Sequence, residues 1–179
     1  MESRRIKKIA IVGAESTGKT DLCERLASHF KTAWVPEYAR DYFNHSDIYN
    51  YTLHDLEQIA IRQVELETEQ AKHAKGLLFC DTALITLKIW AELEFGACPA
   101  SILSLMERNR YDYYLITTND VNWVQDTQRF NKHGRKLILD LNLKEVKQQP
   151  APFDKVHGLH EDRLKHAVNF VERYLVKHT

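Results

Sequence analysis

The chain has 179 residues, of which 44% are hydrophobic and 28% charged, with only six glycines and four prolines. This composition excludes a largely disordered chain, and the length suits one domain, residues 1–179, whose core needs no disulfide or structural metal. Lys plus Arg and Asp plus Glu both number 25, so no net basic field exists to draw nucleic acid. The cysteines Cys23, Cys80 and Cys98 are odd in number and lack zinc-site spacing. Two of them fall within apolar runs and read as core. No apolar run approaches the length of a membrane span, and the amino terminus has no secretory h-region. The expectation is a cytoplasmic protein with neither membrane nor nucleic-acid partner.

In chain order, residues 7–12 are apolar and β-branched, as a buried parallel strand should be. Residues 19–30 place Leu22, Cys23, Leu26, Ala27 and Phe30 on one helical face. A short strand is expected at 32–35, then a helix with Pro36 in its first turn and residues 38–43 as its body. Residues 44–51 read as a loop. Thr52 and Asp55 form a capping pair for a helix that carries Leu53, Leu56, Ile59, Ala60 and Val64 and stops at Gly76. Residues 77–81 form the next strand; 83–95 and 101–110 are helical, interrupted by Gly96 and Pro99. Residues 113–117 are a fourth strand, 119–134 a long loop or lid, 135–148 a helix, 153–157 a weak strand and 161–178 the last helix. This alternation implies a mostly parallel five-stranded sheet with helices on both faces, an α/β three-layer sandwich.

Residues 13–20 read Gly-Ala-Glu-Ser-Thr-Gly-Lys-Thr, a full match to the phosphate-binding P-loop pattern, placed between a strand and a helix as its mechanism requires. The backbone of Gly13, Ala14, Glu15, Ser16, Thr17, Gly18, Lys19 and Thr20 can wrap a triphosphate at a helix N-terminus, where the helix dipole favours negative charge. Lys19 would reach the β- and γ-phosphates of ATP and Thr20 would hold Mg²⁺. In parallel sheets ligands bind at the carboxyl ends of the strands. Glu37, Asp81 and Asp120 all follow strand ends and are expected at that edge. Asp81, after four apolar residues, suits a Mg²⁺-holding or catalytic acid, or else a cap for the following helix. Glu37 suits the base or orienter of an acceptor hydroxyl, or else a first-turn residue that complements the helix dipole. Arg40 can pair with a phosphate or carboxylate. Trp34, Tyr38 and Tyr42 offer ring faces for stacking, or for core packing. Asp126, Arg129, Lys132 and Arg135 ride on the lid, where an arginine can close over the phosphates.

These residues resemble a known family. Trp34-Val35-Pro36-Glu37-Tyr38-Ala39-Arg40-Asp41-Tyr42, Leu78-Phe79-Cys80-Asp81-Thr82 and Trp123-Val124-Gln125-Asp126 with Arg129 follow the P-loop in the order and spacing of NadR-type nicotinamide riboside kinase domains, P-loop kinases among the AAA-like ATPase domains. The resemblance runs from about residue 7 to 129 and is looser beyond, around Val156-His157-Gly158. It implies a nucleoside-kinase-like fold and transfer of the ATP γ-phosphate to the 5′-hydroxyl of nicotinamide riboside, a step of NAD salvage. It implies Lys19, Glu37, Asp81 and Arg129 as catalytic residues, Thr20 and Asp81 at the metal, and Trp34, Glu37, Tyr38, Arg40 and Asp81 at the acceptor. Two positions depart from the pattern: Ala83 stands where the family often has a second Asp, and Pro36 where some members have an aromatic. No adenylyltransferase segment precedes the loop, and the expectation is kinase activity alone. The alternatives are a kinase for another nucleoside or nucleoside monophosphate, and an ATP-binding regulatory module without an acceptor. A GTP switch fits poorly, because Asn131-Lys132-His133-Gly134 lacks the Asp of Asn-Lys-x-Asp.

Overall fold

The computed structural model describes residues 5–120 and 134–178. The elements are β1 (Lys7–Gly13), α1 (Lys19–Phe30), β2 (Ala33–Val35), α2 (Tyr38–Asn44), α3 (Leu53–Ala71), β3 (Leu77–Asp81), α4 (Leu84–Phe95), α5 (Ala100–Arg108), β4 (Tyr113–Thr117), α6 (Arg135–Lys147), β5 (Phe153–Val156) and α7 (His160–Lys177). The five strands form one sheet in the order β2-β3-β1-β4-β5, and every pairing is parallel. The fold is therefore the P-loop kinase-like sandwich expected, with an all-parallel sheet.

Successive strand residues point to opposite faces, and the core divides accordingly. Ile9, Ile11, Phe79 and Leu115 pack under α1 and α7 with Leu22, Leu26, Ala167 and Val171. Ala10, Val12, Cys80 and Ile116 pack on the other face with Val146 of α6. Helices α2, α3, α4 and α5 add a second cluster on that side around Phe43, Leu56, Ile59, Leu87 and Ile102. Cys23 and Cys80 are buried, as their apolar surroundings suggested.

The amino ends of the strands are closed by a polar network. Lys8 Nζ donates to Glu67 Oε2 at 3.0 Å, Tyr111 Oη to Glu67 Oε1 at 2.6 Å, and Asn109 Nδ2 to Glu67 Oε2 at 2.8 Å. Glu67 is buried, so this charge is held by three donors rather than by water.

Two local expectations change. Pro36 lies outside α2, which begins at Tyr38 with Glu37 as its N-cap. The reason is tertiary: the buried side chain of Gln63, from α3, accepts from Tyr38 N at 2.9 Å and donates to Pro36 O at 3.3 Å. These bonds hold the chain out of the helix for one more residue. Asp81 does not cap α4, whose N-cap is Ala83, without a side-chain bond. The Thr52–Asp55 capping box at the start of α3 forms as the sequence indicated.

Candidate active site

β1 runs between β3 and β4, so the loop leaving it sits where the sheet order reverses, the place where such sheets bind ligands. Gly13 has φ +144°, and a Cβ there would stand 2.5 Å from Thr117 Oγ1 and 2.7 Å from Thr117 O. Only glycine fits a loop pressed this closely on β4. Thr17 is fully buried; its Oγ1 donates to Ala14 O at 2.8 Å and lies 2.7 Å from Thr117 Oγ1. Its hydroxyl therefore shapes the loop. Ser16 (φ 52°) and Gly18 (φ 75°) are left-handed, the alternation that turns successive peptide units into an anion-binding nest. Gly18 caps α1 with no side-chain bond, leaving that helix end for an anion. Lys19 Nζ donates to Ala14 O at 2.8 Å, which parks the ammonium inside the loop.

The two acids expected beside the loop are there. Asp81 ends β3, 1% exposed, and accepts from Thr20 Oγ1 at 2.5 Å. Burial and the neighbouring Glu37 charge push its carboxyl up to about 6, against the opposing pull of Lys19, Thr20 and Arg40. Its second oxygen, Oδ1, is buried and has no hydrogen-bond partner among the described residues. A carboxylate so placed fits a cation. No group of three or more His, Cys, Asp or Glu among the described residues could hold a metal by itself. The pair of a Thr20 hydroxyl and an Asp81 carboxylate is of the kind that suits Mg²⁺, which takes one or two protein groups and completes its shell with phosphate and water. Thr82, directly after Asp81, has φ 78°, so strained backbone lies next to the acid. Glu37 makes no side-chain cap bond to α2, and its Oε2 lies 3.4 Å from Arg40 Nε. The two Gln63 bonds bracket Glu37 on either side and fix its backbone. Gln63 was not singled out in the sequence, although it continues the i, i+3, i+4 series of Leu56, Ile59 and Ala60.

A cleft opens in front of these groups, with a cavity volume of about 50 Å³. Gly13, Glu15 and Lys19 of the loop and Glu37 and Arg40 form its polar side; Ala39, Phe43, Thr86, Trp90 and Ile138 form its apolar side. Thr86 and Trp90 are four apart on α4 and share a face. So Lys19, Glu37 and Arg40 meet as expected, with Asp81 beneath them.

Two of the aromatics take the core-packing alternative rather than the stacking one. Trp34 does not line the cleft; it packs against the α1 and α7 side of the core, paired in register with Phe79. Side chains alternate along β2, and Val35 takes the other face. Tyr38 also lies outside the lining; its ring meets Tyr42 edge-on, with centroids 6.2 Å apart, against the helical cluster. The tryptophan of the cleft wall is Trp90 of α4, a residue not singled out in the sequence. Asp120 reaches the same edge but serves the β5–α7 turn, accepting from Gly158 N at 2.8 Å and Thr118 Oγ1 at 2.7 Å. Trp123, Asp126, Arg129 and Lys132 lie outside the described residues.

Residues 8–163 match the protein family described as AAA domain. The chain belongs to that family. It has a P-loop kinase-like fold and is similar to NadR-type domains. It is 28% identical over 153 residues to the trifunctional NAD biosynthesis/regulator protein NadR of Salmonella typhimurium strain LT2, covering 83% of this chain and 37% of that protein. It is 30% identical over 127 residues to NadR of Escherichia coli strain K12, covering 69% of this chain and 31% of that protein. The chain thus spans about a third of these relatives. Among solved structures, NadR in complex with NR superposes with a TM-score of 0.76 at 22% identity, over 94% of this chain and 50% of that one. NadR in complex with NAD and AMP-PNP gives 0.70 at 23%, over 94% and 49%. Thymidylate kinase from Ehrlichia chaffeensis gives 0.64 at 12%, over 93% and 98%. These likenesses agree on the fold of the AAA domain. No helix among the described residues is long and apolar enough to cross a membrane.

Proposed function

We propose that this AAA domain is a cytoplasmic, ATP- and Mg²⁺-dependent kinase that phosphorylates the 5′-hydroxyl of nicotinamide riboside, giving nicotinamide mononucleotide. The observation that carries the reading is that Lys19 and Glu37 line one cleft, with the buried carboxylate of Asp81 hydrogen-bonded to Thr20 at the end of the same loop. The NadR structures with NR and with AMP-PNP support the same pair of substrates.

Each residue then has a task. The amides of residues 13–20 and Lys19 hold the triphosphate, the lysine leaving Ala14 O to do so. Thr20 and the free oxygen of Asp81 would hold Mg²⁺, which neutralises charge on the β- and γ-phosphates. Glu37 takes the proton of the acceptor hydroxyl as its oxygen bonds to the γ-phosphorus; the bond from that phosphorus to the bridging oxygen breaks and ADP leaves. Arg40 neutralises charge on the transferred group and keeps Glu37 oriented. Arg129 is assigned a further cation for the transferred charge. Trp90 and Thr86 form the wall against which a flat base and its substituents would rest.

The test is a coupled ADP-release assay with nicotinamide riboside in a panel of nucleosides and nucleoside monophosphates, thymidine monophosphate included. Nicotinamide riboside should give the highest kcat/KM, and Lys19→Ala should abolish release. Preference for a monophosphate would reassign Arg40 to gripping the acceptor's phosphate. If no acceptor raises ADP release above the solvent rate, the kinase reading fails and an ATP-binding regulatory module replaces it.

A further inference from the structure

Arg163, in the first turn of α7, is 4% exposed, and all three of its guanidinium nitrogens donate to backbone carbonyls. Nη1 donates to Thr17 O in the phosphate loop. Nη2 donates to Thr118 O, just past β4, at 3.1 Å. Nε donates to Gly158 O in the β5–α7 turn at 2.8 Å. One planar group therefore joins three chain segments through three separate nitrogens, a span that the single nitrogen of an ammonium does not have. Asp120 Oδ2 lies 3.8 Å from Nη2 and supplies the countercharge. A second arginine, Arg135 at the start of α6, points Nη2 at Ser16 O from 3.4 Å.

The carbonyls engaged are those of the residues whose next amides must face a phosphate. In a trans peptide the C=O and the following N–H point in opposite directions. Drawing Thr17 O outward turns Gly18 N–H the other way, toward the concavity between Ser16 and Lys19. Arg135 does the same, more weakly, for Thr17 N–H. A short Gly-containing loop with left-handed residues at 16 and 18 has other peptide orientations open to it, and any that flips Gly18 N–H outward removes an anion donor.

We infer that Arg163 is a positioning residue of the phosphate cradle: it holds the 17–18 peptide in the orientation that binds a triphosphate, and it touches neither substrate. Its effect belongs to binding of the polyphosphate, whichever base or acceptor accompanies it. The inference rests on the reading of residues 13–20 as a triphosphate site.

The experiment measures calorimetric affinities of the full chain for Mg·ATP and for Mg·tripolyphosphate, which has no base, in wild type, Arg163→Lys and Arg163→Gln. In both variants the two ligands should weaken together, by about tenfold, while the acceptor KM stays within about twofold. The lysine variant, which keeps the charge but not the fork, should not restore wild-type affinity. Unchanged tripolyphosphate affinity in a cooperatively folded variant overturns the inference. So does weakened ATP with unaltered tripolyphosphate, which would put Arg163 at the base. A wild type that does not bind tripolyphosphate defeats the triphosphate reading itself. Should neither variant fold, the wild type still decides by NMR. Tripolyphosphate should shift the Gly18 amide proton downfield, and an unmoved Gly18 amide overturns the assignment.

Discussion

Asp81 is a charged group kept where charge is unwelcome, and Asp81→Asn tests this directly. Burial first, and the Glu37 charge second, raise its carboxyl from 3.8 to about 6. The folded protein therefore holds this proton more tightly than the unfolded chain does. The contribution of Asp81 to wild-type stability should fall as pH rises from about 4 to about 6 and level off above, because only in that window does unfolding release the proton. The displacement is about two pH units, at 1.36 kcal/mol each, so ionised Asp81 weakens the ligand-free fold by about 3 kcal/mol at pH 7. Asparagine has the same shape without the charge. It should match the wild type near pH 4 and exceed it by about 2–3 kcal/mol above pH 6, some of the gain being lost with the Thr20 hydrogen bond. For a chain of this length that is roughly a 4–12 °C rise in melting temperature. Urea unfolding followed by circular dichroism at pH 4.5, 6.0 and 7.5 measures it. The same variant should lose kinase turnover, the familiar exchange of activity for stability. A variant no more stable than wild type at pH 7.5, or one whose advantage does not change with pH, would refute the reasoning.

Glu37→Gln should lower kcat by about 10²-fold or more with the KM for ATP unchanged, if Glu37 removes the acceptor proton. A rise in acceptor KM alone would make it a binding residue. Trp90→Ala should raise the KM for the nucleoside by about tenfold, the loss of one good ring contact, and spare the KM for ATP. The same substitution at Trp34 should destabilise the fold and leave both KM values in place; the reverse pattern would return the stacking role to Trp34.

The phosphate loop was legible because its constraints are local: glycine where φ is positive or a strand presses close, lysine and threonine at fixed spacing. The parallel sheet was legible because apolar runs alternate with helical stripes. Trp90 was not. Helix α4 is apolar on nearly every side, with Leu84, Ile85, Leu87, Ile89 and Ala91 all buried, so no amphipathic face announces which part meets the cleft. Trp34 looked well placed because it precedes Glu37 by three residues, but strand alternation sends it to the opposite face. Arg163 and Gln63 did leave a trace. Arg163 begins a buried series with Ala167, Val171 and Tyr174, as Gln63 extends the stripe of α3. A polar residue in a buried stripe tells of a partner without naming it, and the partners here, Thr17 and Pro36, lie 146 and 27 positions away.

The network of Lys8, Glu67, Asn109 and Tyr111 has its own bearing on how such a protein can change. It fastens the molecule at the end remote from every group assigned to the reaction. Mutations that harden or soften this keel should change stability more than chemistry. Mutations at the opposite rim trade one property against the other. A lineage under pressure to change its substrate therefore has a reserve to draw on, gained at one end of the sheet and spent at the other.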